Sequence, residues 1–411
     1  MIKRLIPVLP ALLLAAGATA SELTNLPSLM AAAIGLLEDR HAVYEAGALG
    51  SNVLAAVIEA IDPLGGAVLT PEEAARRQDR ERGVSYGLDF TLDIRQSWPE
   101  IAAVDAGSPA ADAGLAVSNR IVRIDGRSTE KLSLAEVSAL LRGDCDEPVE
   151  LAVQSGPTGA PPRTLTIRRT ASQTPATGTM ELWPQEIGYL KVNGLFPGSG
   201  AVLAGQIAAW QQTNCFGIIL DLRGANGIDL ESAAAVGSLF ASPGDRLFFV
   251  RDGRNAVVTG FQARAAAAAH KPVMALIDGD TAGAAEVLAG VLGLQRGAML
   301  IGAPTRGDNR LREALPLDAH RVLYVATRRL ELADGPDYYR RGVAPHVSVA
   351  AGAEPAESDD KAADDEPDLF DGFSEKDRQD RALRKRLAGD PVLRRAADIL
   401  LGLKALDVTI P

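Results

Sequence analysis

The chain has 411 residues, of which 47 % are hydrophobic and 23 % charged, enough for two or three globular domains. With 42 basic against 53 acidic residues its formal charge is -11, which excludes a broad basic surface and makes nucleic acid an unexpected partner. Four histidines and two cysteines show no metal-site spacing, and no cofactor motif is present, so neither a metal nor a cofactor is expected.

Residues 1–20 read as a secretory signal. Lys3 and Arg4 precede an apolar run from Leu5 to Ala16, and Ala18-Thr19-Ala20 supplies small residues for cleavage near Ala20. An uncleaved anchor is the alternative, but the run is short for a bilayer. No later segment reads as a transmembrane span. The mature chain is therefore expected in the periplasm or otherwise exported.

Residues 21–82 read as a helical region. Leu29, Ala32, Ala33 and Leu36 recur at helical spacing, and a second periodic stretch runs from Val53 to Ile61. Asp62-Pro63 and Gly65-Gly66 end it. Thr70-Pro71-Glu72-Glu73 then predicts an N-cap, a proline at the first helical position and an acidic first turn.

Residues 83–169 change texture. Tyr86 to Phe90 predicts a strand, Ile101 to Val104 a second, and Ser108 to Leu115 a helical turn ending in glycine. Arg120 to Ile124 predicts a strand followed by an Asp125-Gly126 turn. Leu134 to Leu141 is a short helix stopped by Gly143. Val149 to Val153 and Leu165 to Ile167 close the unit as strands.

Residues 172–350 form the largest apolar unit. Strands are predicted at Ile187–Val192, Gly217–Leu222, Pro272–Ile277 and Ala298–Gly302. Helices are predicted at Ala201–Trp210, Glu231–Phe240 and Ala284–Leu292. The alternation argues for an α/β core with helices over a sheet. Residues 351–373 form an acidic insert, with nine Asp or Glu and one Lys between 351 and 371, a run too polar to build its own core. Residues 374–411 return to helical patterning, with Asp390-Pro391 opening a helix whose Val392, Leu393, Ala396, Ile399 and Leu400 share one apolar face. Cys145 and Cys215 fall in different units, which favours a buried free thiol at Cys215 over a disulfide.

The order of these units resembles the carboxyl-terminal processing proteases, the tail-specific peptidases of family S41. The middle unit resembles a PDZ domain in its Gly-Leu opening, its Ser108-Pro109-Ala110 turn and its Ile-Asp-Gly hairpin at 124–126. In the core, Ile187-Gly188-Tyr189-Leu190, Leu220-Asp221-Leu222-Arg223-Gly224 and Gly342-Val343-Ala344-Pro345 resemble the family's signatures, with His346 where the family has Asp. Asp62-Pro63 resembles its motif before the PDZ domain. The resemblance implies a ClpP/crotonase-like α/β core with a PDZ domain and helical N- and C-terminal segments.

The catalytic signatures depart from the family. Gly283, in Gly279-Asp280-Thr281-Ala282-Gly283-Ala284, stands where the resemblance puts the serine nucleophile. Asp308 stands at the lysine base and Arg312 at a supporting glutamine. Gly227 and Ala284 match the backbone donors of an oxyanion site, with Ile228 replacing a glycine. Thr281, His320, His346, Lys191 and Lys271 remain as other chemistry-bearing residues. Lys191 is expected beside a strand facing solvent, and Lys271 at a strand's exposed start. Asp221, Arg223, Gly224 and Glu286 are expected to fix turns.

The expected activity is therefore binding. Gly87 would let a peptide C-terminus approach the loop, and Leu88, Phe90, Val137 and Leu140 would line its pocket. The expected partners are a peptide C-terminus or an envelope protein, a homodimer mate or an active protease relative. An endopeptidase using unfamiliar residues is the alternative, and a crotonase-like enzyme for small molecules a distant third.

Overall fold

The computed structural model describes residues 46–349, apart from 96, 105–107, 142–146, 156–160, 265–270 and 296–297, and residues 381–407 apart from 382 and 385. The signal segment, the periodic stretch at Leu29–Leu36, Gly143, Cys145 and the acidic insert lie outside the described residues. Two compact units emerge, one of residues 79–176 and one of the remainder.

The chain opens with helix α1 (Ala46–Ile61), strand β1 (Ala67–Leu69) and helix α2 (Pro71–Glu81). Asp62 ends the first helix, and its carbonyl accepts the Gly66 N–H at 2.8 Å. A reciprocal capping box starts the second. Glu73 N–H donates to Thr70 Oγ1 at 3.2 Å and Thr70 N–H donates to the Glu73 carboxylate at 2.8 Å.

The 79–176 unit begins with β2 (Val84–Gly87), β3 (Phe90–Arg95) and β4 (Trp98–Val104). Thus the strand expected at Tyr86–Phe90 is two strands. Asp89 adopts a left-handed conformation (φ 56°), which breaks the pleat between them. The unit continues through α3 (Pro109–Asp112), β5 (Arg120–Ile124), β6 (Arg127–Ser128), α4 (Leu134–Leu141), β7 (Pro148–Gln154), β8 (Arg163–Arg168) and β9 (Thr170–Gln173). The sheet order is β3-β4-β5-β7-β8, and β2 pairs separately with β9. Alternate residues Val149, Leu151 and Val153 of β7 are fully buried beside Ile121, Ile124 and Val137. The Arg169 side chain donates Nε to the Leu141 carbonyl at 2.9 Å, satisfying the end of α4.

The other unit resumes with β10 (Thr177–Leu182), β11 (Ile187–Val192), α5 (Ser199–Gln211), β12 (Gly217–Asp221) and α6 (Leu230–Gly237). Then come β13 (Arg246–Asp252), β14 (Val257–Gln262), β15 (Val273–Ile277), α7 (Ala284–Gly293) and β16 (Ala298–Gly302). It ends with β17 (Arg310–Pro316), β18 (Val322–Leu332), β19 (Val347–Ser348) and α8 (Pro391–Ala405). One sheet runs β10-β11-β12-β15-β16-β19, parallel from β11 to β19. Its central strands are covered on both faces, and strand alternation sorts them. Ile218, Leu220, Val273, Ala275 and Ile277 meet the core that holds α5, α6 and α7, while Ile219, Met274 and Leu276 meet α8.

A second sheet was not expected from sequence. It runs β1-β18-β13-β14 with β17 on β18, all antiparallel. Its Phe248, Val250, Leu330 and Leu332 share the core of α7. Helix α7 is consequently buried from Ala284 to Leu292, which explains a sequence apolar all round.

Helix α8 is fixed at its start. The Asp390 carboxylate accepts the Leu393 N–H at 2.9 Å and receives two guanidinium hydrogen bonds from Arg223 at 2.7 and 3.0 Å. Leu400 is fully buried while Leu401 is 38 % exposed. Leu400→Ala is expected to lower unfolding free energy by about 2–5 kcal/mol and Leu401→Ala by about 0.5 kcal/mol or less, read from urea denaturation of the full chain. Equal effects would contradict this seating of the helix.

Candidate functional site

The strongest constraint on the site is at the head of α7. Gly283 has φ 60° and ψ -129°, a conformation hostile to L side chains, and precedes the first helical residue. Beside it runs the loop from Ala225 to Gly227. Ala282 N–H donates to Ala225 O at 3.0 Å and Ala284 N–H donates to Gly227 O at 2.8 Å. The two segments therefore pair like short parallel strands. The far side of the loop is held as well, with Leu195 N–H on Asn226 O at 2.7 Å and Asp229 N–H on Leu195 O at 3.1 Å.

This pairing needs both glycines. A Cβ at Gly283 would stand well under 3.0 Å from the Gly227 carbonyl oxygen, and a Cβ at Gly227 would meet the Leu195 backbone just as closely. Of the two expected oxyanion donors, the Ala284 N–H thus points at a carbonyl of its own chain. Gly227 faces the site with an acceptor, its carbonyl oxygen.

The positions matched to the base and its supporting glutamine form an ion-paired clasp. Arg312 donates to Asp62 through Nε and Nη2, both at 2.7 Å, and to Asp308 through Nη1 at 2.7 Å and Nη2 at 3.1 Å. Asp62 also accepts the Ala326 N–H at 3.1 Å. The Asp62 and Arg312 side chains are 1 % and 7 % exposed, so each depends on the other for compensation. The clasp fastens the end of α1 to the second sheet.

Glu286, fully buried in α7, organises the adjoining loop. Its carboxylate accepts the Gly307 N–H at 2.6 Å, the Asp308 N–H at 3.1 Å and the Thr305 hydroxyl. Burial pushes its carboxyl above the usual range, against the pull of these hydrogen bonds. It fixes the loop, as expected, from a position closed to solvent.

The other chemistry-bearing residues have structural partners. Thr281 is fully buried, with its Oγ1 at 3.0 Å from both Leu222 O and Asp278 Oδ1. Lys191 does not simply face solvent. It pairs with Asp221 at 3.3 Å and donates to the Arg223 carbonyl. Lys271 is not merely an exposed strand start either. Its ammonium caps the end of α5 through Trp210 O at 3.0 Å and Thr213 O at 2.8 Å. His346 Nδ1 accepts the Leu300 N–H at 2.9 Å, and His320 lies exposed in a turn. Cys215 is a buried free thiol whose pKa burial raises. A surface cleft of about 600 Å³ lined by Asp245, Arg246, Leu294 and Asp334 adjoins the opposite end of α7 and holds none of the candidate residues.

In the 79–176 unit the candidate groove divides. Leu88 and Val137, expected to line a pocket, are 4 % and 0 % exposed and belong to the core. Both point inward, and an apolar residue type is the same whether the side chain lines a groove or fills a core. Gly87, Phe90 and Leu140 stay partly accessible. Among the described residues β3 has only β4 as a strand neighbour, and α4 packs beside it. That leaves a strand edge open for an added peptide strand.

Asp221 is buried against Arg223, Lys191 and the Tyr189 hydroxyl, at 2.7, 3.3 and 2.9 Å. Burial would raise its carboxyl, but the Arg223 hydrogen bonds and charge, with Lys191, outweigh that and hold it below the usual range. A lowered folded value stabilises above the unfolded value of about 3.9, and the gain is lost as pH falls through the folded one. Asp221→Asn should therefore shrink the drop in melting temperature on acidification. An unchanged drop would contradict it. Arg312→Ala leaves Asp62 buried and unpaired, and should cost about 3–5 kcal/mol in urea denaturation. A loss under about 1 kcal/mol would show the clasp to be idle.

The peptidase family S41 profile matches residues 186–349 and the PDZ domain profile residues 100–155. A carboxyl-terminal-processing protease of Synechocystis is 28 % identical over 286 residues, covering 69 % of this chain and 66 % of its own length. Carboxy-terminal processing protease CtpA of Bacillus subtilis is 26 % identical over 281 residues, covering 68 % and 59 %. The matched part thus spans less than two thirds of either relative. Among solved structures, the photosystem II D1 C-terminal processing protease aligns with TM-score 0.46 at 22 % identity, over 74 % of this chain and 83 % of that one. This chain carries a peptidase family S41 domain and a PDZ domain, and its relatives are named carboxyl-terminal processing proteases.

Proposed function

We propose that the chain is an exported, non-catalytic relative of the carboxyl-terminal processing proteases that binds peptides or protein partners as a scaffold or regulator. The observation that carries this reading is the Gly227 carbonyl seated on the Ala284 N–H, in space that a Cβ at position 283 would need. Acyl transfer from a peptide requires a nucleophile, a base to take its proton and donors aimed at the developing oxyanion. Gly283 offers no side chain. Asp308 is a carboxylate paired with Arg312. The Ala284 donor is engaged within the chain.

Substitute chemistry has little support. The Thr281 hydroxyl is buried and hydrogen-bonded, and neither described lysine of the S41 domain is unpartnered. The PDZ domain supplies the positive half of the proposal. Its open β3 edge provides backbone groups for strand addition, and Phe90 and Leu140 provide apolar contact. The partners in view are a peptide C-terminus or an envelope protein, a second copy or an active relative. Among the described residues no helix is long and apolar enough to cross a membrane.

Purified full chain should leave unfolded casein and peptides with apolar C-termini intact. Cleavage that disappears on Thr281→Val or His320→Ala would sink the proposal. The same peptides should bind, and Leu140→Glu should weaken them by about tenfold or more. Unchanged affinity would remove the groove from the account. Gly283→Ser with Asp308→Lys should stay inactive, because the new Cβ collides with Gly227. Cleavage by that variant would show the loop to be movable.

A further inference from the structure

The 305–310 loop carries an unusual surface. Arg306, Arg340 and Arg341 are exposed and have no side-chain partner among the described residues. Several surface arginines of this unit are neutralised, as in Arg251–Glu331 at 2.7 Å, Arg321–Asp318 at 2.6 Å and Arg386–Glu181 at 3.2 Å. In a chain with 53 acidic residues, three adjacent arginines without a carboxylate stand out.

The arginines sit on two loops fixed to each other. Arg340 N–H donates to Gly307 O at 2.7 Å, Thr305 N–H to Val343 O at 3.2 Å and Val343 N–H to the Thr305 hydroxyl at 2.7 Å. Arg306 N–H reaches across to Thr281 O at 3.1 Å, so the cluster borders the loop that ends at Gly283.

A fourth arginine gives an independent sign. The Arg310 guanidinium stacks over the Tyr339 ring at 4.4 Å, yet its buried Nε–H has no acceptor. A buried donor without a partner asks for one. Nearby carboxylates do not serve. Asp308 gives both oxygens to Arg312, and Asp337 Oδ1 accepts from the Asn309 side chain and the Tyr339 N–H. Counting exposed Asp280 and Asp337 against Arg306, Arg310, Arg340 and Arg341, the cluster stays net positive.

We infer that this arginine cluster is a docking site for a short acidic segment of a partner protein, separate from the PDZ groove. Arginine forks match carboxylates two bonds at a time, and loops already fixed lose little freedom on binding. The net charge of -11 opposes a long polyanion such as nucleic acid, which meets the whole surface, more than a short peptide that meets only the patch. The inference does not depend on whether the chain cleaves peptides.

The test uses the full chain and a fluorescent peptide of alternating glutamate and glycine, amidated at its C-terminus so that a PDZ groove finds no terminal carboxylate. Anisotropy should show binding that weakens about tenfold or more between about 0.02 and 0.3 M salt. The triple variant Arg306→Ala, Arg340→Ala, Arg341→Ala should lose it about tenfold, while Arg394→Ala with Arg395→Ala, on α8, should keep it. These arginines are exposed, so circular dichroism should show the variants folded. Equal binding by the triple variant overturns the inference. So does tighter binding of a single-stranded oligonucleotide than of the peptide. Binding that appears only when the acidic residues of 351–371 are changed to their amides would assign the patch to the chain's own segment, and overturn the partner.

Discussion

One hydrogen bond organises the centre of the S41 domain. The Ala284 N–H, first of α7, donates to the Gly227 carbonyl, and Gly283 between the sheet and the helix has no side chain to obstruct it. The first N–H groups of a helix have no partner within the helix. In a hydrolase they are useful for that reason, because a developing negative charge can take them. Here the chain's own backbone takes one. The consequence runs outward, since the same pairing fixes the Ala225–Gly227 loop, and that loop is fixed again by Leu195.

Around this contact, positions that resemble a catalytic apparatus have structural employment. Arg312 joins Asp62 and Asp308, and Glu286 holds the backbone of Gly307 and Asp308. A neutral amine at 308 would face a guanidinium with no carboxylate beside it on that loop. The replacements are therefore coupled, and reversing one would leave another charge without its partner. The Arg223 fork likewise links a strand end, through Asp221, to the first turn of the last helix, through Asp390.

Much of the fold was legible in residues whose signals are local. The Thr70 capping box, the Ser108 cap and the Asp390 cap each mark a helix start by chemistry within three residues. The continuous apolar runs at Gly217–Asp221 and Val273–Ile277 announced strands buried on both faces. The antiparallel sheet is hard to read although Val322, Tyr324, Leu330 and Leu332 alternate inward, because Arg328, Arg329 and Glu331 among them dilute the pattern. The replacements at Gly283, Asp308 and Arg312 could be seen in sequence. Their partners could not, since Asp62 lies 250 residues before Arg312 and a carbonyl's direction leaves no letter.

The head of α7 is closed by its own chain. Residue-resolved amide hydrogen exchange of the full-length protein tests it most directly. The Ala284 amide should be protected to the same degree as the interior amides of α7, and Gly283→Ala should remove this protection before it affects the rest of the helix. An Ala284 amide in the unsubstituted chain that exchanges as fast as exposed loop amides would contradict the account, because the donor would then stand open to a substrate carbonyl.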